Sequence, residues 1–129
     1  DQSVGLVLHA MEHAIGGEIF VRKAPACTIE ILADTVRRKF SPKGKSHPIE
    51  VSGIRPGEKL HETLVNEYEM QRITDEELFY TVHPEYNIPK HISDKPLGSE
   101  YTSNNTHQLN KCEDIEKLLD KMGEIELYI

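Results

Sequence analysis

Arg55 and Glu58 stand three residues apart in S-G-I-R-P-G-E-K-L-H-E, residues 52–62. An apolar, β-rich run ends at Ile54 and delivers Arg55 onto a Pro-Gly turn. A guanidinium there suits a bidentate grip on a phosphate. The carboxylate of Glu58 can accept two hydroxyl hydrogen bonds, as a ribose diol offers. On spacing alone, a solvated ion pair on a tight turn explains the two charges more simply. A second grouping, His9-Ala10-Met11-Glu12-His13, fits H-x-x-E-H. His9 and His13 could reach one Zn²⁺ from a helix, with Glu12 as base. No partnered third ligand is identifiable. The simpler reading makes these the polar positions of an amphipathic helix whose other face carries Val4, Leu8, Met11 and Ile15. The third grouping, Tyr86 and Lys90, has the Y-x-x-x-K spacing that sets a phenol and an ammonium on one helical face. Pro89 falls inside the turn that would have to be helical, so this match is read as accidental.

Other chemistry is sparse. Asn104-Asn105-Thr106 is a glycosylation sequon, read here as a polar loop. There is no G-x-G-x-x-G, no Walker A loop and no G-x-S-x-G, so no dinucleotide fingerprint. Cys27 and Cys112 have no zinc or C-x-x-C spacing. A reduced pair is the economical reading, each filling a helix-start or core position, although spacing leaves a disulfide open. No residue is assigned a catalytic or metal-binding role.

The elements that must position these groups follow from periodicity. Residues 2–15 recur at helical spacing and end at Gly16-Gly17, a favourable C-terminal stop. Residues 18–23 read as a strand. Thr28 caps a second helix with Ile29, Leu32, Ala33, Val36 and Phe40 on its apolar face, and Glu30 near its positive end. Residues 41–48 form a solvated loop, and residues 48–54 a second strand with Ile49 and Val51 on one face. A short helix is expected within residues 66–73, and a strand at residues 78–82. Residues 87–100 should be irregular, and residues 101–109 are polar without a period. A last helix begins at Asn110, with Glu113 completing a capping-box-like pair. Ile115, Leu118, Leu119 and Met122 form its stripe, and Gly123 ends it. The sum is a mixed α/β pattern.

Composition narrows the function classes. Hydrophobic residues make up 37%, and glycine brings the apolar share to about 43%, slightly below an average globular chain. The net charge of −7 argues against non-specific nucleic-acid binding and against a polybasic membrane patch. No run approaches the ~18 apolar residues of a membrane span. The N-terminus lacks the flank and core of a signal peptide, which points to the cytoplasm. The missing initiator Met suggests a processed or truncated start.

The segment R-P-G-E-K-L-H-E resembles a motif in the C-terminal part of extended short-chain dehydrogenase/reductases acting on UDP-sugars. The chain as a whole resembles CapD/CapE-type polysaccharide biosynthesis enzymes, which are UDP-N-acetylglucosamine 4,6-dehydratases, some also 5-epimerases, often described as UDP-glucose 4-epimerases. Residues 3–31, 54–65 and 100–119 carry the match in the family's order. The resemblance implies an α/β substrate-binding part in residues 1–65 and a C-terminal extension in residues 66–129, with the Rossmann half absent. It assigns Arg55 to the pyrophosphate and Glu58 to the ribose of a UDP-sugar. It places Lys23, Ala24 and Pro25 at the edge of the nucleotide pocket. Lys59 and His61 receive no role. Some family members have His where this chain has Pro56, and an aromatic residue where it has His9.

The implied parent uses NAD(P), bound by the absent half, to oxidise the sugar at C4, eliminate water across C5–C6 and return the hydride to C6. The present chain alone is expected to be inactive and to bind no cofactor. UDP-N-acetylglucosamine is the implied substrate, and the parent is expected to be a homo-oligomer. Two other readings stay open, a 4-epimerase parent and a non-enzymatic interaction domain. Isolated from a Rossmann half, the chain should expose apolar surface.

Overall fold

The computed structural model describes residues 2–42, 47–92 and 98–121. Residues 43–46 of the expected loop, residues 93–97 of the irregular stretch, and Met122 and Gly123 lie outside them. The chain forms two compact units, each discontinuous in sequence. One comprises Asp1–Ala24 and Leu60–Thr106, the other Pro25–Lys59 and His107–Ile129. The division expected at residue 65 is one of role, whereas these units are defined by packing.

The first unit is built on an antiparallel sheet. Strand β1 (Ile19–Arg22) pairs with β4 (Phe79–Val82), and β4 pairs with β3 (Ile73–Asp75). The register sets Ile19 and Ile73 opposite Val82, and Val21 opposite Tyr80. Paired residues share a face, so these side chains all point to one side. There Val65, Ile73, Val82 and Tyr101 form the core, with Val21, Met70 and Tyr80 packed against it. Val65 and Tyr101 come from a two-stranded ribbon of β2 (Thr63–Val65) and β5 (Tyr101–Thr102). A short helix, α3 (Glu67–Met70), follows β2, and Asn66 and Glu69 complete a reciprocal capping box at its start.

The other face of the sheet carries Phe20, Phe79, Thr74 and Thr81. Helix α1 (Gln2–His13) packs here through His9. The His9 ring stacks on Phe79 at 4.2 Å, meets Phe20 edge-on at 5.5 Å, and stacks on His13 at 4.2 Å. Its Nε2 is buried, 3.5 Å from Glu76 Oε2 and without hydrogen-bond geometry. His9 is therefore part of the packed side of the helix, with half-buried Leu6 and Ala10, and not an outward polar position. Val4, Val7, Leu8, Met11 and Ile15 are exposed instead.

The end of α1 shows why two glycines follow it. Gly16 and Gly17 have φ of 146° and 86°, values that L-residues with a Cβ rarely adopt. Glu18 folds back so that Oε2 accepts from Ile15 N at 3.1 Å and Gly16 N at 2.7 Å. The Gly16 N–H bond leads the causes that hold the Glu18 carboxyl below its ordinary range. Tyr86 donates to Gly16 O at 3.4 Å from a 3₁₀ turn, Glu85–Asn87. That turn ends before Lys90, so Tyr86 and Lys90 share no helical face.

The second unit pairs α2 (Ile29–Phe40) with α4 (Cys112–Lys121). Thr28 caps α2 as expected, accepting from Ile31 N at 3.3 Å. The packed positions include Thr35 and Ile115, both fully buried, and Thr35 satisfies its hydroxyl on Ile31 O at 2.7 Å. Ile29 and Val36 are exposed, so the expected apolar face is rotated toward Thr35. Lys39 pairs with Asp120 across the two helices. Cys27 and Cys112 are free thiols, and Cys112 Sγ lies 3.8 Å from Asp34 Oδ2.

Three further expectations change. Residues 48–54 do not form a strand. Ile49, Val51 and Ile54 are exposed, and no described strand pairs with them, because β-propensity alone supplies no ladder partner. Strands β3 and β5 are too short for periodicity to mark, and exist because β4 and β2 offer their edges. Helix α4 starts at Cys112, and its first carbonyl acceptor is Lys111, which removes Asn110 and Glu113 from cap positions.

Four outcomes follow from this packing. Gly17→Ala should cost about 1–2 kcal/mol in urea unfolding, the scale of forcing a Cβ into a left-handed backbone. The Tyr86 hydroxyl that the new methyl meets belongs to an exposed ring and can yield. His9→Phe should preserve or raise stability by about 1 kcal/mol, since the ring contacts persist and a buried nitrogen without a hydrogen bond disappears. Equimolar Zn²⁺ should not stabilise the wild type, a result read by thermal melting. For His83, burial is the main cause pushing the imidazolium pKa down, with Glu18 opposing and His91 adding. The unfolded chain then holds more protons than the folded chain between the depressed and the ordinary His range, so stability rises with pH across that window. Acidification through the window should lower the urea midpoint, and His83→Gln should flatten the slope.

Candidate nucleotide-binding turn

The Arg55 turn is made by local chemistry. Pro56 presets φ at the second position, and Gly57 has φ of 88° at the third. Glu58 N donates to Arg55 O at 3.1 Å and closes a type II turn. The Glu58 side chain then returns over it. Oε2 accepts from Arg55 N at 2.9 Å, and Oε1 lies 3.9 Å from Arg55 Nε. The side chains of Arg55 and Glu58 are 79% and 51% exposed, so their charges are available to a ligand in water. The two residues singled out by spacing are thus brought together on one turn, in the second unit.

Lys23 is placed differently. It continues the β1 ladder, with N donating to Leu78 O at 2.9 Å. Its ammonium bonds the Asp75 carboxylate and the Glu76 carbonyl, and sits 4.4 Å from the Tyr80 ring centroid. The tie joins the end of β1 to the β3–β4 turn. Burial, with Asp75 next, pushes the Tyr80 phenol pKa up. A phosphate that called on Lys23 would compete with Asp75 for it. Asp75 gave no sequence signal, because its partner lies 52 positions away and meets it only through strand pairing.

Pro25 is exposed and belongs to the second unit. Its neighbour Ala26 donates to His107 O at 2.9 Å and accepts from Leu109 N at 2.8 Å, in a parallel bridge with Gln108. The sequon residues are similarly engaged in backbone repair. Asn105 Oδ1 accepts from Thr102 N at 2.8 Å, and Thr106 Oγ1 donates to Ala24 O at 2.6 Å.

The groups needed for other chemistry do not assemble. Among the described residues, no three His, Cys, Asp or Glu side chains are grouped to hold a metal ion. For NAD(P), a pyrophosphate cradle requires a glycine turn between a strand and a helix N-terminus. Gly16 and Gly17 lie between a helix and a strand, in the reverse order, and Gly53 and Gly57 lie on an exposed loop. The described residues therefore do not fit this cofactor. No described helix is long and apolar enough to cross a membrane.

Comparison with known proteins gives this turn a context. A family described as "Polysaccharide biosynthesis protein" matches residues 1–84. A UDP-glucose 4-epimerase of Rickettsia akari is 40% identical over 124 residues, covering 91% of this chain and 35% of the relative. One from Rickettsia rickettsii is 39% identical over the same length and share. The chain thus spans about a third of the length of these curated relatives. The X-ray structure of Pen from Bacillus thuringiensis superposes with a TM-score of 0.71 at 24% identity, over 95% of this chain and 35% of that one. That likeness shows a shared fold. With the family match extending over residues 1–84, this small mixed helix–strand chain belongs to the polysaccharide biosynthesis protein family.

Proposed function

We propose that the chain supplies the UDP-binding turn of a nucleotide-sugar 4,6-dehydratase/epimerase of surface or capsular polysaccharide biosynthesis. The observation that carries the reading is the Arg55–Glu58 turn, where a guanidinium and a carboxylate are exposed on one closed backbone loop. Arg55 grips the pyrophosphate, and Glu58 accepts from the ribose hydroxyls. Binding energy from this non-reacting handle positions the sugar for chemistry elsewhere. Lys23 and Pro25 are further candidates for nucleotide contact, and Lys23 would exchange part of its Asp75 contact for phosphate. Residues 1–65 form the substrate-binding part, and residues 66–129 an extension.

In this reading the parent enzyme is a cytoplasmic homo-oligomer that acts on UDP-N-acetylglucosamine. NAD(P) supplies its redox chemistry and is held outside the residues described here, and this chain alone is inactive. A second reading, a UDP-glucose 4-epimerase parent, is favoured by the names of the relatives at 39–40% identity. Product analysis of the whole enzyme with UDP-N-acetylglucosamine and UDP-glucose separates the two.

Calorimetry of UDP binding to the whole protein tests the shared core of both readings. Arg55→Ala should weaken UDP by about 1.5–3 kcal/mol, the range for a hydrogen bond to a charged group. Unchanged affinity would remove Arg55 from the site.

A further inference from the structure

We propose that Glu58 is a positioning residue for Arg55, in addition to any contact it makes with ribose. The inference rests on the UDP-binding reading above and concerns how the turn is prepared for a diphosphate. Both Glu58 oxygens face Arg55. One accepts from its backbone N–H at 2.9 Å, and the other lies 3.9 Å from Nε. The backbone bond from Glu58 N to Arg55 O runs in the opposite direction at 3.1 Å. Arg55 is thus held by its N–H and its carbonyl, while its guanidinium stays largely exposed with Glu58 Oε1 nearby at 3.9 Å, beyond hydrogen-bond distance.

Two physical effects oppose each other here. A carboxylate this close to a phosphate site repels the ligand. An arginine on an exposed loop also loses backbone and rotamer freedom when it binds. A clasp that closes the turn in advance reduces that ordering cost. The repulsion depends on the charge of Glu58, whereas the clasp on Arg55 N–H depends only on an acceptor oxygen at that place. Gln keeps the acceptor and loses the charge, and Ala loses both.

The test titrates the ¹⁵N-labelled whole protein with inorganic pyrophosphate and follows the Arg55 amide and Nε–H resonances. Pyrophosphate has no ribose, so a role confined to the diol cannot move the result. Glu58→Gln should bind pyrophosphate at least as tightly as wild type. Glu58→Ala should bind about three- to tenfold more weakly than Glu58→Gln, the scale of one net hydrogen bond. Because the turn is exposed, the remaining amide spectrum should stay unchanged in both variants. Equal pyrophosphate affinity in the two variants would overturn the positioning role. If Arg55→Ala still abolished binding in that case, the UDP-site reading would stand. Wild-type Arg55 resonances that ignore pyrophosphate would overturn both.

Discussion

The antiparallel pairing of β1 with β4 is the constraint on which the first unit depends. It joins residues 19–22 to residues 79–82 across some sixty positions of chain, and its register decides what each face can carry. With Val82 opposite Ile19 and Ile73, one face accumulates the branched and aromatic side chains that close over Val65 and Tyr101. The alternate residues, Phe20 and Phe79, then turn to the opposite face and receive His9 of α1. A slip of one residue would send Val82 to the helix side and Thr81 into the core. The Lys23–Asp75 tie and the Leu78 carbonyl accepting from Lys23 N extend the same ladder past its last strand residue. Lys23 thus serves the sheet before it can serve a ligand.

A different logic governs the Arg55 turn. It draws on no distant partner, since Pro56, Gly57 and Glu58 provide its φ values, its closing bond and its side-chain clasp within four residues. Such a device is exposed and self-sufficient, and needs no packing partner to hold its shape. Charges elsewhere in the chain matter little beyond the ~8–10 Å over which salt screens charge, so a chain with net charge −7 can still present a local cation.

Local patterns were legible where the cause is local. Thr28 as a cap, the glycine stop after α1, the helical stripe around Ile115 and the Arg55 turn all follow from residues within a few positions of each other. The misread features have non-local causes. Residues 48–54 look like a strand because Ile49 and Val51 favour extended backbone, yet a strand needs an edge to pair with. Residues 73–75 and 101–102 are strands because such edges are available to them. His9 sits in a helix with two candidate faces, and periodicity alone gave no reason to choose the face containing a histidine over the one with Val4, Leu8, Met11 and Ile15.

The amino-acid sequence by itself determined the helices, the glycine stop after α1, the Thr28 cap of α2 and the Arg55–Glu58 turn, because capping bonds, glycine φ values and i-to-i+3 contacts are set over a single turn of chain. Only the tertiary structure decided which face of α1 is packed, that Lys23 is bonded to Asp75, and which extended segments become strands. Each of those outcomes depends on partners brought together by strand register, and register is fixed by the joint burial of side chains far apart in the chain.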